Sequence, residues 1–180
     1  MNRVGTRIAY FWVWIVRSGQ SDVSWGIAMK LTLTATITAL LLALPAGAGF
    51  DAGTAAYQGG DYRAALRQWF PLAKSGHAEA QKNLAAMYRH GRGVKRNYAE
   101  AIKWYRKAAA RGNATAQFSL GLMYHEAEGV PQSYAKAAKW YRKAAEQGIA
   151  LAQFNLGTLY YQGLGVPQNY AEAYKWWAKR

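Results

Sequence analysis

His77 to Gly112 reads HAEAQKNLAAMYRHGRGVKRNYAEAIKWYRKAAARG, and Asn113 to Gly148 says the same again, NATAQFSLGLMYHEAEGVPQSYAKAAKWYRKAAEQG. A third copy, IALAQFNLGTLYYQGLGVPQNYAEAYKWWAKR, starts at Ile149 and stops inside its second half. Gln81, Gln117 and Gln153 stand 36 residues apart, as do Trp104, Trp140 and Trp176, and Gly76, Gly112 and Gly148. A strict period of this length marks a repeat architecture, in which no unit buries its apolar face alone and stacked units do.

Each unit divides into two helical segments. In the first copy Ala78 to His90 carries Ala80, Leu84 and Tyr88 four apart, the spacing of one helix face. Gly91 and Gly93 then break the pattern, and the later copies use Gly129, or Gly163 and Gly165, followed by Pro131 or Pro167. Glycine and proline here predict a loop. The second segment opens on the N-cap residues Asn97, Ser133 or Asn169, carries Ala101, Trp104, Tyr105 and Ala108, and closes at Gly112 or Gly148. The unit is a helix–loop–helix hairpin. Small residues (Ala80, Ala101, Ala108 and their copies) alternate with Trp and Tyr, a pattern that lets helices interlock, so the aromatic stripe reads as core packing.

The strings A-x-A-Q-x-x-L-G-x-x-Y, G-x-G-V-P-Q-N-Y-A-x-A and K-W-Y-x-K-A-A-x-x-G resemble the Sel-one-like repeat family, relatives of the tetratricopeptide repeats, in an exported bacterial type. Repeat one departs at Ala85, where the others have Gly121 and Gly157, and at Lys95 and Arg96 in place of Pro-Gln. The resemblance implies a right-handed α-solenoid that binds other proteins. The fold class expected is therefore all-α, an α-solenoid of stacked hairpins with a 36-residue period.

The rest of the chain is organised around these units, 77–112, 113–148 and 149–180. Residues 1–28 have no match to the repeats, and their apolar run Ile8 to Val16 is too short to span a bilayer. They read as an upstream extension or cytoplasmic leader. Residues 29–48, MKLTLTATITALLLALPAGA, have the three regions of a signal peptide, with cleavage expected after Ala48. That places the mature chain in the periplasm or outside the cell. Left uncleaved, residues 31–48 anchor it in a membrane, the one membrane contact expected. Residues 49–76 are a capping half-repeat: counting back 36 puts Asp61 on Asn97 and Ala65 on Ala101, with Gln68 where the Trp belongs and Trp69 on the Tyr105 position. Its first helix, Phe50 to Gln58, is short, and Pro71 is expected to kink its second. At the other end Trp176 and Trp177 are expected close to an open end, an association hazard.

The search for chemistry excludes more than it finds. The chain has no Cys, so no disulfide, thiolate metal site or redox motif exists, including the per-repeat disulfide of some secreted relatives. Ser133-Tyr134-Ala135-Lys136 matches the S-x-x-K string of penicillin-recognising enzymes, but Ser133 aligns with the caps Asn97 and Asn169, Lys136 aligns with Glu100 and Glu172, and no partner motif exists. His77, His90 and His125 fall at unrelated repeat positions, and no metal or cofactor fingerprint is present. The expectation is no enzyme, no cofactor and no metal.

The function expected is a non-enzymatic, exported scaffold that binds a protein or peptide in a groove lined by the first helices. The groove candidates are Asn83, Ser119 and Asn155, able to pair with an extended backbone, and Met87, Met123 and Leu159, adaptable to apolar surfaces. The net charge of +14 is uneven: repeat one holds nine basic and two acidic residues. Arg89, Arg92, Lys95 and Arg96 surround its inter-helix loop, the basis of an alternative reading as an anion-binding adaptor for an envelope component. Export argues against nucleic acid. A second alternative, a cell-wall hydrolase or the partner of one, lacks a carboxylate pair or an activated nucleophile.

Overall fold

The computed structural model describes residues 48–179, and the upstream extension and signal segment up to residue 47 lie outside the described residues. Eight helices make four hairpins: α1 (Ala48–Gln58) with α2 (Tyr62–Lys74), α3 (Ala78–His90) with α4 (Tyr98–Ala110), α5 (Ala114–His125) with α6 (Tyr134–Glu146), and α7 (Ala150–Gln162) with α8 (Tyr170–Trp177). The described residues contain no strand. Each helix packs chiefly against the helices before and after it in the chain, so first and second helices alternate between two layers.

The starts of the second helices follow from their caps. The side chains of Asp61, Asn97, Ser133 and Asn169 accept from the backbone N–H three residues on, at 2.9, 3.1, 3.3 and 3.0 Å. His77 and Asn113 do the same for α3 and α5, whereas Ile149 leaves α7 without a side-chain cap. Gly91 and Gly163 end α3 and α7 in the left-handed conformation, both at φ 70°. The same register position in repeat two holds Ala127 at φ 60°, the one positive-φ residue other than glycine among the described residues. α2 runs through Pro71 to Lys74 as one helical span.

The two layers of a hairpin meet where a residue without a side chain faces a ring. A Cβ on Gly121 would overlap the Tyr141 ring, and one on Gly157 would overlap the Trp177 indole. In the first hairpin the equivalent is Gly53 beneath Trp69, not Gly49 at the position 36 residues before Ala85. The reason lies in the loops: three residues join α1 to α2, but seven join α3 to α4. Four residues fewer in the loop shift the whole of α1 by four, close to one helical turn, and keep it facing α2. With that shift Phe50 aligns with Phe118 and Phe154.

Neighbouring hairpins are tied by the periodic glutamines. Gln81, Gln117 and Gln153 are buried, and each Nε2 donates to the carbonyl of Ala73, Ala109 or Ala145 near the end of the preceding second helix, at 2.9, 3.3 and 3.1 Å. Each of those carbonyls also accepts from the backbone N–H of Gly76, Gly112 or Gly148 in the closing turn, so the amide of the next repeat takes its second acceptor site. The core between the layers is small against large: Ala80, Ala116 and Ala152 are wholly buried, as are Leu84, Leu120 and Leu156.

Candidate functional site

The first-helix layer is the place to look for a partner groove, and only some of the expected residues face outward there. Met87, Met123 and Leu159 have no exposed surface and belong to the core. Their assignment to a groove is corrected by the width of the stripe. The buried face of α3 takes in Ala80, Gln81, Leu84, Ala85 and Met87 and is broader than the i, i+4 row read from sequence. Ser119 is also buried, at 8 % exposure. It sits against the Tyr105 hydroxyl of the preceding hairpin, and Asn155 holds the same place against Tyr141. Burial pushes both tyrosines above their ordinary pKa, an effect that Ser119 and Asn155 partly offset. Asn83 is half-buried on α3.

What faces outward is aromatic and apolar. Phe50, Phe118 and Phe154 share one register position, which repeat one fills with Lys82 instead, and each Phe leans on an aromatic ring of its own hairpin's second helix, Phe50 and Phe118 half-buried and Phe154 exposed. The pairs Phe50–Trp69, Phe118–Tyr141 and Phe154–Trp177 have centroids 6.2, 5.8 and 6.4 Å apart and interplanar angles of 32°, 35° and 33°. Leu122 lies half-buried one turn on from Phe118, and Leu151 and Phe154 are 63 % and 59 % exposed. The sequence carried the signal, a Phe directly after Gln117 and Gln153. It pointed outward because it lies off the Ala-Leu row.

Of the four cations of the repeat-one loop, Arg89 is set apart from Arg92, Lys95 and Arg96, which are exposed. The Arg89 side chain, 13 % exposed, is spent on two carboxylates of the next loop, Glu128 at 2.7 Å and Glu126 at 3.3 Å. Its place in a shared basic patch is thereby corrected. Burial disfavours its charge, but those carboxylates outweigh burial and hold the guanidinium above its usual pKa. Arg92 bonds to the Tyr57 hydroxyl and lies over the Tyr57 and Tyr62 rings. Arg96 lies over Tyr98, 5.4 Å from the centroid, and Lys95 is exposed.

Charge instead divides between the layers. The second helices hold eleven Lys and Arg against three Glu, and the first helices hold two cations against two anions. Arg67, Lys103, Lys139 and Lys175 form one exposed row, one per second helix. Beside it Lys107, Lys143 and Lys179 lie over Trp104, Trp140 and Trp176, with Nζ 4.2, 4.9 and 3.9 Å from the centroids. Arg106 donates to the Tyr124 hydroxyl at 2.7 Å, and Arg142 repeats this bond on Tyr160, stapling one hairpin to the next. At the first junction Phe70 stands in the Arg106 position, and the staple gives way to a pocket of about 330 Å³ lined by Leu66, Arg67, Phe70, Pro71 and Tyr88.

No group of three or more His, Cys, Asp or Glu placed to hold a metal occurs among the described residues, and no helix there is long and apolar enough to cross a membrane. Stacked hairpins with two surfaces of opposite character define a repeat scaffold. The Sel1 repeat pattern matches residues 78–113, 114–149 and 150–179, more than half of the chain, and the chain belongs to that family. Sel1 repeat proteins are generally protein-interaction scaffolds and typically non-catalytic. Two solved structures are similar. One is a protective antigen of uropathogenic Escherichia coli with an SLR fold, 39 % identical, TM-score 0.69, matched over 73 % of this chain and 29 % of that one. The other is a Sel1 repeat protein from Oxalobacter formigenes, also 39 % identical, TM-score 0.67, over 69 % and 51 %. The chain thus spans about a third to a half of the length of these relatives. No curated protein matches it.

Proposed function

We propose that the chain is an exported, non-enzymatic scaffold whose first-helix layer takes up a segment of another protein. The observation that carries this reading is the outward Phe50–Phe118–Phe154 register, with Leu122 and Leu151 beside it, on a layer of no net charge. On α5 and α7, which carry no Asp, Glu, Lys or Arg, such a face buries apolar side chains of a partner without desolvating a charged residue, and its rings are already held by Tyr141 and Trp177. Export rests on the signal-like residues 29–48.

A photo-crosslinking residue in place of Phe154 or Leu122, compared with one in place of Lys139, tests the face in living cells. One discrete adduct from the first two positions and none from the third is expected. Adducts from Lys139 alone would remove the first-helix layer as the site. Intact mass of the protein from the extracytoplasmic fraction tests export: a chain beginning at Gly49 is expected, and a chain retaining Met29 in the cytoplasm overturns it.

A further inference from the structure

We propose that the second-helix layer is an electrostatic docking surface for an anionic phospholipid bilayer, separate from the first-helix face. The second helices carry eight net positive charges and the first helices none, so most of the net charge of the described residues lies on one layer. The row Arg67, Lys103, Lys139 and Lys175 returns once per hairpin on exposed positions. Successive cations are therefore spaced by roughly a helix diameter, ~10 Å. Of these four, Lys103 and Lys175 touch only exposed Glu100 and Glu172 on their own helices, at 3.2 and 3.0 Å, contacts that give way to a competing anion at little cost.

The second row is held in place. Lys107, Lys143 and Lys179 lie along indoles, so their heads lose less freedom on meeting an anion. Two rows across four helices make a surface, not a channel. A linear nucleic acid strand would gain from exposed stacking rings repeated along the row, yet Trp104 and Trp176 are only 5 % and 6 % exposed, and the exposed Tyr170 and Tyr174 are confined to the last hairpin. A field of phosphate headgroups needs neither stacking nor fixed register, only cations spread over an area. Phe70, 36 % exposed, lies within the same layer and suits the headgroup boundary.

The test uses the full chain sedimented with phosphatidylglycerol–phosphatidylcholine vesicles and, in parallel, with phosphatidylcholine vesicles. The neutral vesicles report any association through residues 1–47. Anionic vesicles should take up more protein, and the excess should vanish as salt rises from about 0.05 to about 0.5 M. Arg67→Gln, Lys103→Gln, Lys139→Gln and Lys175→Gln together should lower the anionic partition coefficient at least ~10-fold. Arg92→Gln with Lys95→Gln and Arg96→Gln should change it less than ~2-fold, because the loop is not the surface. Circular dichroism confirms that both variants keep their helix content. Equal uptake by both vesicle types, or a row variant that binds like the parent, would overturn the proposal. So would uptake of a single-stranded oligonucleotide without uptake by anionic vesicles, which assigns the row to a linear polyanion.

Discussion

The two layers of this molecule are built from the same 36-residue text and have different surfaces. First helices turn a Phe outward at one register in three of the four hairpins and carry no net charge; second helices turn Lys and Arg outward and bury Trp69, Trp104, Tyr105, Tyr141 and Trp176. In both, the inward residues are small and large in alternation, because the hairpin closes where a Gly or Ala meets a ring. The difference teaches that the period constrains the seam between layers, and the outward positions are free to specialise. Breaking the seam should therefore cost far more than changing either surface.

The sharpest test is Gly121→Val. Replacing a helical glycine ordinarily gains up to about 1 kcal/mol in helix propensity. Here the added side chain collides with the Tyr141 ring, so the variant should instead lose about 3 kcal/mol in urea unfolding. Ala85, wholly buried at the same position of repeat one, shows that a methyl is accommodated where the neighbouring turn permits it. A Gly121→Val protein as stable as the parent would show that the seam is not closed there.

Next comes the tie between loops. Arg89→Ala leaves Glu128, whose side chain is 24 % exposed, without its cation and should cost about 2 kcal/mol, between the values for buried and surface pairs. Lys95→Ala, at an exposed loop position outside the ion pairs of the described residues, should change stability by less than about 0.5 kcal/mol. Equal effects would restore the loop as one patch of equivalent cations. In the opposite direction, Ala127→Gly relieves a left-handed residue at φ 60° and should raise stability by about 1 kcal/mol, where Gly91 and Gly163 already occupy that position. A melting temperature unchanged by Ala127→Gly would mean that the loop of repeat two relaxes away from this conformation.

The hairpins, their caps and the Trp-Tyr core were legible because each depends on local chemistry repeated three times. The groove was less so. A row at i, i+4 from Ala80 identifies the centre of the buried face but not its edges, and Met87 and its copies lie on an edge that only the packing of α4 and α2 defines. The basic loop misled for a related reason: net charge is additive along a sequence, but Arg89 is neutralised by Glu126 and Glu128, 37 and 39 residues away. The four-residue shift of α1 was hidden by counting back a fixed 36. It becomes visible when Phe50 is set against Phe118, with Gly53 three residues on as Gly121 is.

The smallest effect is the most specific to the comparison. Lys139 is exposed on α6 and is followed by Lys143 at i+4 and preceded by Lys136 at i−3. Lys139→Glu turns two repulsions on one helix face into attractions, with Glu N-terminal to Lys143, the better orientation, and C-terminal to Lys136, the weaker one. The gain should be about 0.3–0.5 kcal/mol at low salt and should fade as salt is added. Thr158→Glu on α7 places the same charge on a helix without charged residues, so it has no intrahelical partner and its small effect should not follow salt. If both substitutions respond alike, the layers are electrostatically equivalent and the division of charge between them has no consequence for the folded chain. If only Lys139→Glu stabilises, the row of cations is a standing repulsion that the fold tolerates, which is what a surface kept for an anionic partner requires.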